Sequence, residues 1–285
     1  MTPVSFSRSQ KTPRTARGDF GVQPSNHIDN VARIARSFVE ARRTGTALPD
    51  YPGTMPAALD DAYAVQDAAI ALAEGRIAGW KVGRINPPID GVDRLAGPIF
   101  AATVATANGA ELAMPVFRDG FAAAEAEFLL RVGETPDPAK TSYTIDEARA
   151  LIDAVHVGVE IASSPFPGIN KHGPSVTISD FGNNNGLVVG AAIDGWRDVD
   201  LDTWPVELRI NGEQVGAATT ATMLDGPFGA ARFLFEAMAA RGIALSPGQW
   251  ISTGAVTGVH PVAIGDRVEA RFDGRLTVDC VIEAH

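Results

Sequence analysis

Two glutamates stand two residues apart in an apolar stretch of the 285-residue chain. The stretch Phe121–Val132 reads FAAAEAEFLLRV and carries Glu125 and Glu127 among small and apolar residues. Side chains at positions i and i+2 share one face of a β-strand. Two carboxylates on one such face repel each other and lose hydration, so a compensating group is expected. A hard divalent cation would fill that role, and the alternative is a helix with one glutamate facing water.

A third carboxylate follows in a second candidate strand. The segment Val155–Ile161 has β-branched residues in strand rhythm and places Glu160 near its carboxyl end. Three carboxylates without basic neighbours in the sequence favour Mg²⁺ or Mn²⁺ over zinc, which prefers histidine and cysteine. Upstream, Lys81 lies in a short predicted strand between Gly79 and Gly83, where glycine permits close backbone approach. The alternative for Lys81 is a surface position.

The elements that must position these groups predict an α+β fold with a β-rich core and few helices. We divide the chain into a flexible tail at 1–27, an N-terminal helical and lid region at 28–112, and a catalytic core at 113–285. The spacing of apolar residues predicts helices from Asp29 and from about Asp60 to Glu74. The stretch Asn86–Arg94, with two prolines and a glycine, is interpreted as a surface loop or a lid.

Later segments carry clear start and turn signals. A capping box at Thr144 predicts a helix through Ala154, and Asn211-Gly212 predicts a type I′ hairpin. Asp225 is expected to cap a helix that runs through Arg241. The polar segment 180–186 is interpreted as a loop, and residues 267–282 as a closing hairpin.

Composition excludes several classes of protein. The net charge of −10 and the pI near 5.0 argue against nucleic acid or an anionic membrane as the main partner. The sequence has no apolar run long enough for a transmembrane helix and no secretory signal at its start. Its single cysteine, Cys280, fits strand packing in a reducing cytosol, so a cytoplasmic protein is expected.

The order of these motifs resembles the fumarylacetoacetate hydrolase superfamily. The matching order is Gly-Trp-Lys-Val-Gly, Glu-x-Glu, Val-Glu-Ile about 33 residues later, an Asn/Gly loop and a late Thr-Gly. Within the superfamily the chain is most similar to the branch of 2-keto-4-pentenoate hydratases and 4-oxalocrotonate decarboxylases. The resemblance extends from about Asp29 to the C-terminus. It implies a twisted mixed β-sheet roll around a divalent-metal site, with a small helical N-terminal region, assembled as dimers or larger homo-oligomers.

The resemblance also implies roles for individual residues. Glu125, Glu127 and Glu160 match the metal ligands, and Lys81 matches a lysine that reaches the substrate or its enolate. The matching substrate contacts are Asn183, Asn184, Asn185, Thr253 and Gly254. His172 lies in a loop near this predicted site and is a further candidate substrate contact.

The function implied is that of a metal-dependent hydratase acting on a short unsaturated 2-oxo acid, such as 2-hydroxypenta-2,4-dienoate, in aromatic-compound catabolism. The same stabilised dienolate would serve decarboxylation of a 4-oxalocrotonate-like acid, so sequence separates these two reactions poorly. An acylpyruvate C–C hydrolase is a further alternative, and a degenerate keto-acid binder without turnover is the non-enzymatic one.

The chain departs from this branch at three places. Ser163-Ser164-Pro165 stands where an Asp-Ser-Arg run is usual, so the expected acid and base are missing. Residues 98–102 lack a common aspartate, and Gly226-Pro227 replaces a His-Pro or Asn-Pro pair. The His-Glu pair typical of the hydrolases is also missing, because His27 is the only histidine before Glu125.

Overall fold

The computed structural model describes residues 24–285. Within this range the helices are α1 (Pro24–Thr44), α2 (Leu59–Leu72), α3 (Ile145–Ala150), α4 (Pro174–Ser179) and α5 (Gly226–Ala240). The strands are β1 (Ile77–Ile89), β2 (Val92–Phe100), β3 (Val104–Thr106), β4 (Ala113–Val116), β5 (Phe121–Val132), β6 (Ile152–Ser164), β7 (Asn184–Ala192), β8 (Val206–Ile210), β9 (Glu213–Ala218), β10 (Trp250–Ser252), β11 (His260–Pro261), β12 (Arg267–Phe272) and β13 (Leu276–Ala284). None of these helices is long and apolar enough to cross a membrane.

The strands form two mixed sheets. The first has the order β2-β1-β10-β5-β6-β7-β3, with β11 added beside β5, and the second has the order β4-β13-β12-β8-β9. Most neighbours are antiparallel, but β1 with β10, β3 with β7, and β4 with β13 are parallel. This arrangement confirms the predicted α+β fold.

Strand β5 is buried on both faces, and its two faces differ in chemistry. Ala126 and Phe128 belong to the main core, where the Phe128 ring meets Phe272 of the second sheet at 5.3 Å between centroids. Because side chains alternate along a strand, Glu125 and Glu127 point to the opposite face. The apolar residues of β5 thus fix the direction of its two carboxylates.

Several local predictions are confirmed. Phe121–Val132 is a strand, and Thr144 forms both hydrogen bonds of a capping box with Glu147. Asn211 and Gly212 connect β8 to β9 with φ of 53° and 83°, as a type I′ turn requires. Cys280 is buried in β13, as predicted from its alternating neighbours.

The interpretation of Asn86–Arg94 as a surface loop is wrong, whereas a role as a lid stays a prediction. These residues form the outer half of a hairpin between β1 and β2, and Lys81 therefore lies in a strand of 13 residues rather than a short one. The register passes from Arg84↔Arg94 directly to Ile89↔Val92, which leaves residues 85–88 outside the ladder. The two prolines therefore remove no ladder hydrogen bond, which is why the strand tolerates them.

Other boundaries also move. The helix after Thr144 ends at Ala150 instead of Ala154, because the strand-forming residues from Ile152 onward join β6. Asp225 precedes α5 without capping it through its side chain, and the 180–186 loop contains a 3-10 turn and the start of β7.

The predicted N-terminal boundaries agree only in part with the structure. Helix α1 begins at Pro24 rather than Asp29, and the rest of the predicted 1–27 tail lies outside the described residues. The division between 28–112 and 113–285 stays a prediction. Strands β1 and β3 of the first part pair with β10 and β7 of the second.

Candidate metal centre and active site

The three glutamates predicted as metal ligands meet on one face of the first sheet. Glu125 of β5 lies directly opposite Glu160 of β6, and Glu127, two residues along β5, lies opposite Gly158. One carboxylate oxygen of each glutamate lies within 4.8 Å of the others. All three side chains are buried, with at most 4% of their surface exposed. The register of two antiparallel strands therefore builds the cluster.

Neighbouring groups satisfy only some of these oxygens. Glu127 Oε2 accepts hydrogen bonds from the Ser252 hydroxyl and from the Gly254 amide, the latter at 2.9 Å. Glu160 Oε1 accepts one from the Asn184 side chain at 3.0 Å. Glu127 Oε1 and Glu160 Oε2 are buried and find no partner among the described residues. Unsatisfied buried oxygens next to one another are the arrangement that a cation would complete.

Lys81 is the cation nearest to this cluster. Its Nζ lies 3.5 Å from Glu160 Oε1 and donates to Asn183 Oδ1 at 3.4 Å. Burial alone would lower the pKa of Lys81, but the carboxylates of Glu160, Glu125 and Glu127 outweigh it and raise that pKa. The three carboxylates therefore favour the ammonium form of Lys81.

The charge of the cluster fits a divalent ion. Three carboxylates and one ammonium leave an excess of negative charge in a buried place. Burial accordingly raises the pKa of Glu125 to about 7, with Glu160 adding to the rise and Lys81 opposing it. The pKa of Glu127 is raised by burial and by the two other carboxylates. Carboxylate oxygens suit hard divalent cations, so this donor set could bind one.

A cavity of about 1140 Å³ opens beside the cluster. Lys81, Glu125 and Asn183 lie on its wall, so the site is accessible to a small molecule. Away from these groups the lining is mostly apolar and comes from the β1–β2 hairpin, from residues 218–226 and from residues 253–259. A polar end and an apolar remainder are typical of small-molecule sites.

The predicted substrate contacts fall into two groups. Asn183, Thr253 and Gly254 line the cavity, although the Thr253 hydroxyl donates to the Phe128 carbonyl. Asn184 instead donates to Glu160, as described above. These roles as substrate contacts stay predictions.

Two further candidates lie outside the cavity wall. Asn185 Nδ2 donates to the Pro115 carbonyl, and its Oδ1 accepts from Arg42. The exposed His172 ring stacks on Phe166 at 5.9 Å, one residue before Gly173 of the cavity wall.

Sequence reasoning missed several residues around the site. Asn170 lines the cavity and its Oδ1 accepts a hydrogen bond from Asn183 at 3.1 Å. The Ser252 hydroxyl donates a hydrogen bond to Glu127. Because Ser252 directly precedes the predicted substrate contact Thr253, its position in the sequence could have indicated a place near the site. The ion pair between Arg42 and Asp180 joins residues 138 positions apart, so no local pattern marks it.

Comparison with known proteins identifies the family. The family model described as fumarylacetoacetate (FAA) hydrolase C-terminal matches residues 85–282, which is well over half of the chain. The chain therefore belongs to the fumarylacetoacetate hydrolase family. The match includes the three glutamates but begins after Lys81.

Curated relatives come from the branch expected above. A 4-oxalocrotonate decarboxylase from Pseudomonas sp. (strain CF600) is 30% identical over 134 residues, 47% of this chain and 50% of that protein. The chain thus spans about half the length of this relative. A 2-keto-4-pentenoate hydratase from Paraburkholderia xenovorans (strain LB400) is 27% identical over 252 residues, 84% of this chain and 90% of that protein.

A solved structure supports the fold. The 4-oxalocrotonate decarboxylase from Pseudomonas putida G7, complexed with magnesium and adipate, superposes with a TM-score of 0.74 and 22% identity. The match covers 90% of this chain and 98% of that one. The twisted mixed β-sheet roll expected from the resemblance is thereby confirmed.

Proposed function

We propose that the chain is a metal-dependent hydro-lyase that adds water to a short unsaturated 2-oxo acid such as 2-hydroxypenta-2,4-dienoate. The observation that carries this proposal is the buried glutamate cluster at the polar end of a cavity that Lys81 also lines. Two of its oxygens have no hydrogen-bond partner within residues 24–285. The similarity to a 2-keto-4-pentenoate hydratase over 84% of the chain supports it.

Glu125, Glu127 and Glu160 would hold one Mg²⁺ or Mn²⁺. Such an ion supplies Lewis-acid stabilisation of the negative charge that develops on a 2-oxo acid. Glu127 and Glu160 are held in place by Ser252, Gly254 and Asn184, so the ligands are ordered before any ion arrives. Glu125 is the ligand that lies on the cavity wall, next to the space for substrate.

Lys81 and Asn183 would act on the substrate itself. The Lys81 ammonium can bind the enolate oxygen or carboxylate through a charge-assisted hydrogen bond, and Asn183 orients Lys81. In the reaction the enol proton leaves oxygen and C5 gains a proton, which conjugates C3=C4 with the new ketone. The oxygen of water then bonds to C4, and C3 takes a proton. The sum is one added water.

Decarboxylation of a 4-oxalocrotonate-like acid is the second candidate. In that reaction the bond to the distal carboxylate breaks, its electron pair enters the conjugated enolate, and CO₂ leaves. One observation favours it: Arg84 lines the cavity and makes no salt bridge within the part of the chain that the structure describes. A free guanidinium there suits a second carboxylate, whereas the neighbouring Arg94 is already paired with Asp93 and Asp225.

The hydrolase alternative has less support. His27 pairs with Asp61 at 3.6 Å and does not line the cavity. The hairpin 86–94, where a lid base would lie, contains neither histidine nor glutamate. A degenerate binder would keep the metal and the substrate without turnover.

Assays with three substrate types distinguish the hydratase, the decarboxylase, the hydrolase and the non-catalytic binder. Ultraviolet decay of 2-hydroxypenta-2,4-dienoate is followed with enzyme and Mg²⁺ or Mn²⁺, and the products are analysed by mass spectrometry. We expect a product one water heavier, whose formation EDTA abolishes. Loss of CO₂ from a 4-oxalocrotonate-like acid without hydration would make the chain a decarboxylase. Cleavage of an acylpyruvate alone would make it a hydrolase, and ligand-induced thermal stabilisation without turnover would indicate a binder.

We further propose that the protein acts in the cytoplasm as a homo-oligomer, a dimer or larger. Light scattering coupled to size-exclusion chromatography would test the assembly. A monomer at micromolar concentration would contradict it.

A further inference from the structure

A strained turn lies between α4 and β7, beside the candidate metal centre. Phe181, Gly182 and Asn183 have φ of 54°, 64° and 58°, so three consecutive residues are left-handed. Glycine adopts this conformation freely and asparagine tolerates it, whereas a bulky aromatic residue such as Phe181 in it is an outlier. Such a backbone persists only where its surroundings hold it.

This turn delivers two side chains to the site. Asn183 Oδ1 accepts the hydrogen bond from Lys81 at 3.4 Å, and Asn184 donates to Glu160 at 3.0 Å. A shift of the turn would therefore move the partner of the ammonium and the partner of a metal ligand together. The geometry of the site depends on a backbone that is not intrinsically favourable.

One guanidinium holds both ends of the turn. Arg42 of α1 donates to the Asp180 carbonyl at 3.3 Å, just before the left-handed residues, and to the Asn184 carbonyl at 3.0 Å, just after them. It also donates to Asn185 Oδ1 at 3.1 Å and to the Ser163 carbonyl at 3.2 Å. The carbonyls on either side of the turn are thus fixed relative to each other by a planar group.

The guanidinium is in turn fixed by a carboxylate. The Asp180 carboxylate accepts Nε at 2.6 Å and Nη2 at 3.0 Å, and it also accepts the Ser164 hydroxyl at 2.6 Å. The Arg42 side chain is 13% exposed, and its charged end lies 5.2 Å from the centre of the Phe181 ring. A planar, multidentate cation of this kind cannot be replaced by a lysine at equal geometry.

We propose that Arg42 is a positioning residue of the active site, which fixes the left-handed turn 181–183 so that Asn183 and Asn184 meet Lys81 and Glu160. The proposal rests on the proposed function for the part played by Lys81 and Glu160. Helix α1 then belongs to the active site, although it is far from it in sequence.

The variant Arg42→Lys tests this. Lysine keeps a positive charge for the Asp180 carboxylate but cannot donate to the Asp180 and Asn184 carbonyls together. The ion pair therefore remains, while the hydrogen bonds that fix both ends of the turn are lost. We expect cooperative unfolding to persist, while kcat falls at least ~10-fold and the Mn²⁺ dissociation constant rises ~10-fold, as for other groups that orient metal ligands. The electron paramagnetic resonance spectrum of bound Mn²⁺ should change as well.

Two control variants separate positioning from plain stability. Cys280→Ala removes buried volume from strand β13 of the second sheet, away from the turn, and Arg43→Ala removes an exposed neighbour whose salt bridge within the described residues is with Glu40. Both should keep the wild-type kcat and Mn²⁺ spectrum, even where Cys280→Ala lowers the melting temperature. If Arg42→Lys has wild-type kcat and spectrum, or if Cys280→Ala loses as much kcat at equal destabilisation, the proposal is wrong.

A second variant acts from inside the turn. In Gly182→Ala the new Cβ would lie 3.1 Å from Lys81 Cδ and 3.2 Å from Gly97 Cα, and alanine would be strained at a φ of 64°. The turn is thereby destabilised from within while Arg42 stays intact. We expect the same loss of kcat and the same spectral change. A wild-type result would overturn the proposal, even if Arg42→Lys did not fold. Should the wild-type protein turn over no unsaturated 2-oxo acid, the proposed function fails, but the Mn²⁺ spectra still decide the role of Arg42.

Discussion

The two sheets differ in the sign of the charges that neighbour one another on a strand. On the outer face of the second sheet, Glu207 and Arg209 of β8 pair at 3.3 Å, and Glu269 and Arg271 of β12 pair at 2.6 Å. Across the strands Glu269 lies opposite Arg209, and Arg271 lies opposite Glu207. Each charge therefore has an opposite charge both along its strand and across it.

The first sheet uses the same i, i+2 spacing for like charges. Glu125 and Glu127 are buried, and the residue across from Glu125 is another glutamate, Glu160. Lys81 offsets only one of the three charges. Opposite charges on an exposed strand face are ordinary surface chemistry, whereas buried like charges are retained at a cost that only a function explains.

The largest effect should follow from removing one charge of the buried cluster. In Glu125→Gln we expect at least ~100-fold weaker metal binding and a similar loss of activity, since even residues that merely orient metal ligands contribute that much. The fold should stay intact, because the amide replaces the carboxylate at nearly equal volume. Isothermal titration with Mg²⁺ and Mn²⁺, together with the dienoate assay, checks this.

The matched control lies on the other sheet. Glu269→Gln makes the same change at an exposed pair and should leave metal binding and turnover at wild-type values. Full activity in Glu125→Gln would remove the basis for assigning the metal site to the first sheet.

The next effect in size is stabilisation by the metal. An ion that binds only the folded protein stabilises it by about 2.7 kcal/mol when its concentration is one hundred times the dissociation constant. We expect Mg²⁺ or Mn²⁺ to raise the melting temperature of the wild type and of Glu269→Gln alike, and EDTA to reverse the rise. The rise should vanish in Glu160→Gln, and a persistent shift in that variant would place the ion elsewhere.

The contrast between the sheets also shows what sequence can predict. The i, i+2 spacing of Glu125 and Glu127 in an apolar run predicted that both lie on one face of a strand, with a helix as the alternative. The sequence did not supply the strand pairing, so it predicted neither β10 as the neighbour of β5 nor the contact of Lys81 with Glu160. The position of Glu160 directly opposite Glu125 likewise depends on the register of β5 and β6.

Two errors have the same origin. Prolines in 86–94 suggested a loop, but they lie in an irregular segment of the hairpin, between Arg84↔Arg94 and Ile89↔Val92, where there is no ladder bond to lose. The Arg42 contacts join the turn 181–183 to a segment distant in sequence, and no motif around Arg42 marks it as a partner of the Asn/Gly loop. Both features depend on which strands and helices are neighbours, and local patterns do not contain that information.

A smaller effect concerns the protein without metal. Burial raises the pKa of Glu125 to about 7, so the folded protein disfavours its charged form. Glu125→Gln replaces it with a neutral group, and above the ordinary carboxyl pKa the metal-free variant should be more stable than the metal-free wild type by at least about 1 kcal/mol. Chemical denaturation in EDTA measures the difference in the free energy of unfolding. If the variant is less stable under these conditions, the cluster is not electrostatically strained, and its contrast with the paired charges of the second sheet loses its force.

The smallest effect is expected on that second sheet. Arg271→Ala breaks an exposed pair in which Arg271 and Glu269 expose 46% and 36% of their side chains. Water solvates both charges well, so we expect the free energy of unfolding to change by less than about 1 kcal/mol and turnover to stay at the wild-type value. Raising the ionic strength should shrink even this difference, because exposed charges are screened. A loss of several kcal/mol would instead mean that the outer face of the second sheet is covered in the assembled protein, so that its neutral pairing serves an interface between subunits.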